Sequence, residues 1–507
     1  MMTRTWIGFV CTVALALWSC TSSQRNAGTS SADGGSGSAN EQPDAGATSG
    51  SPDAGTALGP PTRIGHWTYY GEQQGLSQDV RDVSADEGGN VYVAGGDALY
   101  AKARDAEQYL RFDWQNAGLS KKCNDPAQMM VDIPTTPFFQ CPVISVGGAA
   151  AGKAIVGFDG FGHEGDGGAP WALETGGADV VAFDGAAGKM TRVRHVLTAS
   201  PPHVICDNGH LEWVTTCDPG SPPVNLWFWN NGRRLTRRIR RVVVNHDPSS
   251  ALYGDVWMGG NHGTLQVLLA NAAARGWVDT VDPSFGFDPK WQDAKDIWEH
   301  IHPAVPDPNN PGDIIVGEGY GVSLDPRSGM PWGSNGIRTT TIYGYPDLVH
   351  RQWVFTTNQL AVWPQFALGD DIRSISFCPD GRLWVASISR GLGVIDPNTA
   401  SVLGHVSLPN DAGALTVSCD ASDGSLWVGP VAGGLLRYRN GTFESVVVSD
   451  PTGATSPPEF ASHPVVNVQY DRWTSPGPRI VHFAFEATTD ANGLITAPGG
   501  VAAYDGL

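Results

Sequence analysis

The sequence predicts an all-β protein built from repeated antiparallel sheets, and three observations predict it. The first is composition: 507 residues contain 64 Gly, 36 Pro and 18 Trp, are 41% hydrophobic and only 16% charged. Frequent Gly and Pro describe short strands joined by tight turns, and the same profile excludes a coiled coil, a disordered chain and a multi-span membrane protein. The second is internal repetition, clearest between "IRSISFCPDGRLWVASISRGLGVID" from Ile372 and "LTVSCDASDGSLWVGPVAGGLLRY" from Leu415. The third is that the chain stops three strands into a repeat whose missing fourth strand stands near its start. With 51 acidic against 32 basic residues the formal charge is −19, a field that repels nucleic acid and anionic lipid.

Taken in order, the chain opens with Arg4, an apolar run from Trp6 to Trp18 and then Ser19-Cys20. That run is well short of the roughly 20 residues that span a bilayer as a helix, so a cleaved export signal is expected. The Ser-Cys pair after it resembles a bacterial lipoprotein signal. This implies a signal peptide over 1–19 and lipid on Cys20. Residues 20–61 are almost entirely Ser, Gly, Ala, Thr, Asp and Pro, with "PDAG" at Pro43 and Pro52. They have too little apolar surface for a core and read as a disordered tether. Thr21 after the lipid cysteine, by the same resemblance, implies a Gram-negative outer membrane lipoprotein, periplasmic or surface-exposed, with the leaflet left open.

Residues 62–507 read as one domain. Each clear unit is a β-branched strand, an Asp-Gly turn, a strand with Leu-Trp-Val, then Gly-Leu opening a third strand. Further second strands are read at "NVYVAGG" around Tyr92, "DVWMGG" around Trp257, "DIIVGE" around Ile315 and, as an eighth unit if it counts, "LEWVTT" around Trp213. A weaker unit uses "PVISVGG", "KAIVGF" and "ADVVAFDG" from Pro142, and the last uses "VVNVQYD", "IVHFAFE" and "GGVAAYDG" from Val465. "GHWTYYGEQQGLSQDV" from Gly65 supplies the fourth strand that the last unit lacks. Pairing it with the C-terminal strands closes a ring and removes exposed edges. The expected fold is therefore a single closed β-propeller of four-stranded antiparallel blades. Seven blades are expected, or eight if the Trp213 unit counts, with the N-terminal strand completing the last blade.

The stretches "GLSQDVRDVSADEGGNVYVAGG", "DDIRSISFCPDGRLWVAS" and "GALTVSCDASDGSLWVGP" resemble the two-component-regulator propeller repeat. In that family the propeller is usually an extracytoplasmic sensing module attached to a membrane span and a kinase. The resemblance implies the fold and a binding role, without signalling by this chain alone.

Candidate functional residues are scattered. Tyr92, Trp257, Trp384 and Trp427 alternate so as to fill the wedges between blades. Trp67, Trp114, Trp291, Trp332, Trp353 and Trp363 lie outside the motif and are the candidates for glycan or protein contact. Cys123 and Cys141 flank a Pro-rich insertion and are expected to form a disulfide, which export permits. The connectivity of Cys206, Cys217, Cys378 and Cys419 stays open; the last two hold equivalent places in adjacent blades and meet only if that end of the ring is tight. Asp159, His163, Glu164 and Asp166 in "FDGFGHEGDGG" are candidate calcium ligands, without the spacing of an EF-hand; no other cofactor is indicated. "DPNNPGD" from Asp307 is a weaker loop of the same kind. His246, His262, His300 and His302 fall near unit ends, where mouth histidines would act as ligands or acid–base groups. Arg233, Arg234, Arg237, Arg238, Arg240 and Arg241 form a stripe suited to an anionic partner or, on an outer strand, to carboxylates of the chain itself. Together with His262 and His302 these are the binding candidates.

No nucleophile elbow, phosphate loop or dinucleotide fingerprint occurs in the sequence, and no catalytic residue is assigned. The expected function is non-enzymatic: a lipid-anchored extracytoplasmic propeller binding a protein partner or sensing a ligand in an envelope complex. The alternatives are a polysaccharide or cell-wall glycan binder, and a metal-assisted hydrolase or lyase with its site at the propeller mouth.

Overall fold

The computed structural model describes residues 59–119, 141–159, 177–196, 239–250, 252–260, 318–327, 331–336, 372–398, 401–446, 463–471, 480–491 and 494–506. It also describes Gly329 and the short strands at 198–199, 204–205, 211–214, 235–236, 265–268, 298–301, 305–306, 314–315, 341–343, 346–347, 352–353 and 361–362. The chain divides into two compact units, Met1–Thr56 and Ala57–Leu507; every described residue belongs to the second.

The described residues are nearly all strand or turn. Sheet one comprises Asp82–Ala85, Val91–Ala94, Leu99–Lys102 and Leu110–Phe112, in chain order across the sheet. Sheet two follows with Val143–Gly148, Lys153–Phe158, Ala178–Asp184 and Lys189–Val196, and sheet three with Ile239–Val244, Val256–Gly260, Leu265–Leu268 and Trp298–Ile301. Sheet four is Glu318–Leu324, Pro331–Gly336, Thr341–Tyr343 and Ala361–Val362; sheet five is Ile372–Phe377, Leu383–Ser387, Gly391–Asp396 and Ser401–Val406. Sheet six is Ala414–Cys419, Leu426–Pro430, Leu436–Arg439 and Thr442–Ser445. Sheet seven takes Val465–Asp471, Ile480–Phe485 and Gly500–Tyr504 from the C-terminus, then Trp67–Tyr70 and Thr62–Ile64 from the other end of the chain. The antiparallel register there is Trp67 opposite Tyr504 and Tyr70 opposite Val501, the interlock that the two chain ends predicted.

The Asp-Gly turns behave as their chemistry requires. Gly381 lies at φ 81°, a conformation that an L side chain resists, and its N–H donates to the Cys378 carbonyl to close the hairpin of sheet five. Sheets two to seven each carry a register shift early in the first strand, a bulge that sharpens the local twist.

The core lies between sheets. One buried cluster joins Tyr92, Leu99 and Phe112 of sheet one to Val146, Phe158 and Phe183 of sheet two. Another joins Trp332 of sheet four to Phe377 and Leu383 of sheet five, and a third joins Trp384 and Leu392 to Val417 and Val428 of sheet six. Each sheet's first strand packs on the first strand of the next, and the first strand of sheet seven packs on those of both sheet six and sheet one. The approach is close: a Cβ on Gly148 would stand 2.2 Å from the Ala85 carbonyl oxygen.

Two expected units differ. Ile314–Ile315 is not a second strand but pairs with Val305–Pro306 in a two-stranded sheet; the second strand there is Pro331–Gly336, carrying Trp332. Leu211–Val214, the unit around Trp213, joins a small separate sheet with Val204–Ile205, Gln352–Trp353 and Pro346–Asp347. Alternation of apolar residues recognised a strand in both cases, but tertiary pairing chose its neighbour.

Candidate functional site

Register makes seven positions equivalent, one per sheet, each opposite the residue two places after the aromatic position of the second strand: Asp82, Ser145, Arg241, Gly321, Ser374, Thr416 and Asn467. At five of them, Asp82, Ser145, Arg241, Ser374 and Asn467, the side chain bonds to the first strand of another sheet. Ser145 Oγ donates to the Ile239 carbonyl at 2.6 Å, and Ser374 Oγ donates to the Val417 carbonyl at 3.1 Å. Two residues further along, Ser84 and Ser376 accept from the amides of Gly148 and Cys419 at 2.9 and 3.0 Å.

Three of these positions form a buried polar centre. The Asp82 carboxylate accepts from the Val146 amide at 3.0 Å and from Asn467 Nδ2, and Arg241 stands 3.5 Å away. Arg241 Nη2 also reaches the Val466 carbonyl at 3.4 Å, so one guanidinium from sheet three touches sheets one and seven. Burial pushes the Asp82 carboxyl above its ordinary range against the pull of Arg241. Arg241 closes the predicted basic stripe, but its strand is the first of its sheet and its side chain is only 12% exposed. Arg240 is half-buried on the same strand. Arg233, Arg234, Arg237 and Arg238 lie outside the described residues.

On the hairpin side of sheets one and three, Glu87 accepts from Tyr253 Oη at 2.7 Å and pairs with His246 Nδ1 at 3.0 Å. Burial lowers the His246 pKa, and the Glu87 carboxylate opposes that fall. His262 and His302 lie outside the described residues, as do His163, Glu164 and Asp166. Asp159 is described, half-buried, with its amide donating to the Pro142 carbonyl at 2.8 Å. Among the described residues no group of three His, Cys, Asp or Glu is arranged to hold a metal ion. No described helix is long and apolar enough to cross a membrane.

Cys378 and Cys419 are disulfide-bonded, with Cα atoms 5.3 Å apart, which fastens sheet five to sheet six. Cys141 is buried and disulfide-bonded; Cys123, Cys206 and Cys217 lie outside the described residues. Of the off-motif tryptophans, Trp67 and Trp332 are buried, at 7% and 1% exposure. The Trp67 ring centroid lies 4.7 Å from that of Tyr504 and 5.4 Å from that of Phe483, so it is sheet core rather than a stacking platform.

One cavity, of about 110 Å³, sits between sheets seven and one. Its lining includes Thr68, Tyr70, Lys102, Arg104, His482 and Asp505. Lys102 is 5% exposed and His482 3%, whereas Arg104 and Asp505 are exposed at the mouth. Neither ring nitrogen of His482 has a hydrogen-bond partner, and burial drives its pKa down to about 3. Lys102 Nζ lies 5.3 Å above the Tyr70 ring. Sequence reasoning missed this site because His482 and Lys102 each read as an ordinary strand residue. The signal lay in alignment of the repeats, where His482 falls in the aromatic column.

No protein-family model and no curated protein matches the chain. Among solved structures the chain is similar to YCF48 bound to D1 peptide, with a TM-score of 0.42 and 11% identity, over 88% of this chain and 98% of that one. It is also similar to a structure described as the extracellular domain of a hybrid two component system from B. thetaiotaomicron, with a TM-score of 0.43 and 12% identity. That match covers 86% of this chain and 41% of the other.

Proposed function

We propose that residues 62–507 form one closed seven-bladed β-propeller that serves as a lipid-anchored, extracytoplasmic module binding a protein partner or sensing a ligand in the cell envelope. The observation that carries closure is the cycle of packed first strands. Sheet seven touches both sheet six and sheet one, and Trp67–Tyr70 pairs with Gly500–Tyr504. Arg241 reaching from sheet three to sheets one and seven is a contact expected across a narrow ring centre.

A binding role, rather than a catalytic one, is supported by how the acids and bases are used. Asp82 with Arg241, Glu87 with His246, and Asp423 with Arg437 at 3.0 Å are tied to one another and join separate strands or sheets. Such pairs hold a scaffold in register, which leaves loops at the ring faces to recognise a partner. The address rests on the apolar run from Trp6 to Trp18 with Ser19-Cys20 after it and on the Gly/Ser/Ala-rich tether.

The test is to tag the full-length protein, crosslink it in intact envelopes and identify companions by mass spectrometry, with the mass of the N-terminal peptide read from the same sample. A stoichiometric partner and a lipid on Cys20 are expected. A solitary protein overturns the partner reading, and an unmodified Cys20 overturns the anchor.

A further inference from the structure

The residue that opens the second-strand motif points into the wedge toward the next sheet. Tyr92 of sheet one meets Phe183 of sheet two with ring centroids 6.0 Å apart, Trp332 of sheet four meets Phe377 of sheet five at 6.1 Å, and Trp384 of sheet five meets Tyr438 of sheet six at 5.8 Å. By register the seven residues in this column are Tyr92, Ile155, Trp257, Trp332, Trp384, Trp427 and His482. The first six are large and buried; the seventh is a histidine. Across the wedge the third strands present Val181, Ile395, Tyr438 and Tyr504 at one register position, and sheet one presents Lys102 there. The wedge between sheets seven and one thus replaces an apolar pair with an imidazole and an ammonium, and it is the wedge that contains the cavity.

Such a substitution is costly in a structural wedge. Burying an imidazole whose nitrogens are both unpartnered forfeits packing and hydration together, and the lysine beside it, whose Nζ reaches the Arg104 carbonyl at 3.4 Å, adds a desolvated charge. A cavity of about 110 Å³ offers room for a group of roughly four water volumes. Its lining carries donors, the Lys102 ammonium, the imidazole N–H, the Thr68 hydroxyl and the Arg104 guanidinium, and the Tyr70 ring lies beneath Lys102. The Asp505 carboxylate at the mouth is engaged by His66 Nδ1 at 3.0 Å. Buried positive charge with converging neutral donors suits a compact anion bearing several acceptor oxygens.

We propose that the wedge between sheets seven and one is a binding site for a small oxyanion, held by Lys102, His482 and Thr68 with Arg104 at its mouth. This stands apart from the envelope-partner reading: the anion can bind where no partner is found, and a partner can be found where the anion fails to bind.

The test titrates the full-length protein with inorganic phosphate, sulfate and acetate, each against chloride at matched ionic strength, by calorimetry and by thermal melting. Saturable 1:1 binding of at least one of them, with a rise in Tm, is expected. Saturation by acetate alone identifies a carboxylate-type ligand, and saturation by phosphate or sulfate a tetrahedral one. Affinity should fall at least tenfold in Lys102→Met and severalfold in Arg104→Ala. His482→Phe should abolish binding while raising the Tm of the anion-free protein, because it fills the wedge as the other sheets do and so separates lost binding from lost folding. Absence of saturable binding by all three anions, or binding unchanged in His482→Phe, overturns the proposal.

Discussion

Two junctions between consecutive sheets show how differently one repeat can be joined to the next. Between sheets five and six the contacts join repeats that are neighbours in the sequence. Trp384 packs on Tyr438, Ser374 and Ser376 bond the neighbouring first strand, and Cys378 and Cys419, at matching positions, are bridged. Between sheets seven and one the partners come from opposite ends of the chain. That junction is held by Asn467 against Asp82 and Val83 and by the apolar residues around Val83, Tyr100 and Val501, with a polar cavity in the wedge; sheet seven itself is completed by the pairing of Trp67–Tyr70 with Gly500–Tyr504. A junction between neighbours in sequence closes cheaply in entropy, whereas one that joins the two ends pays for a long loop and needs its own specific contacts.

The largest effect should come from unpairing the closing strand. Tyr69→Pro removes a ladder hydrogen bond and a buried ring at the register position opposite Ala502. It should leave sheet seven with an open edge, giving aggregation or a loss of cooperative melting by calorimetry. A strand variant that melts like the parent would show that the seam does not depend on the N-terminal strand.

Next is the buried centre. Arg241→Ala removes the cationic partner of the buried Asp82 carboxylate, leaving it the Val146 and Val83 amides and Asn467 as donors, and should cost about 3–5 kcal/mol in denaturant unfolding. Pairing it with Asp82→Asn should recover much of that loss, since the charge is then gone. Equal destabilisation in the single and double variants would mean that Arg241 acts through packing rather than through its charge.

The bridged junction is expected to be somewhat less costly to open. Cys378→Ser with Cys419→Ser frees a loop with a sequence separation of 41; the chain-entropy model assigns such a loop about 4 kcal/mol, with 2–4 typical in practice. The readout is the Tm of the double variant against the oxidised parent. A loss larger than that of Arg241→Ala would reverse the ranking of the bridge and the buried centre.

The smallest effect is an acid-side slope from the seam. The His482 pKa is about 3 when folded against 6.5 in the unfolded chain, so the unfolded state binds more protons below pH 6.5 and stability falls as pH drops from there toward 3. Between pH 7 and pH 5 this amounts to about 2 kcal/mol. His246, also lowered by burial, adds to the same side. His482→Phe should flatten the curve by its own share; an unchanged slope would place the titration elsewhere.

The parts of the fold that were legible rest on local rules. Asp-Gly turns, two-residue alternation and the Leu-Trp-Val strands located sheets one, five and six, and the interrupted final repeat predicted the pairing of Trp67–Tyr70 with the C-terminus. Sheet four was misread because "DIIVGE" has the β-branched alternation of a second strand, while the true one, "PWGSNG", has none beyond its tryptophan and begins with Pro, which a strand tolerates at its first residue. The Arg stripe was legible as charge but not as position, since a strand's place in its sheet is not written in its composition.

By itself, then, the sequence determined the strands of the clearest repeats, where their hairpins turn and that the last sheet borrows its closing strand from the first residues of the folded unit. These follow from backbone preferences and side-chain alternation, which act over a few residues. The tertiary structure alone decided that Arg241 faces Asp82 across three sheets and that His482 meets Lys102 in a hollow wedge. The reason is physical: burial, desolvation and unmet hydrogen bonds belong to the space between sheets, and that space exists only once the sheets have packed.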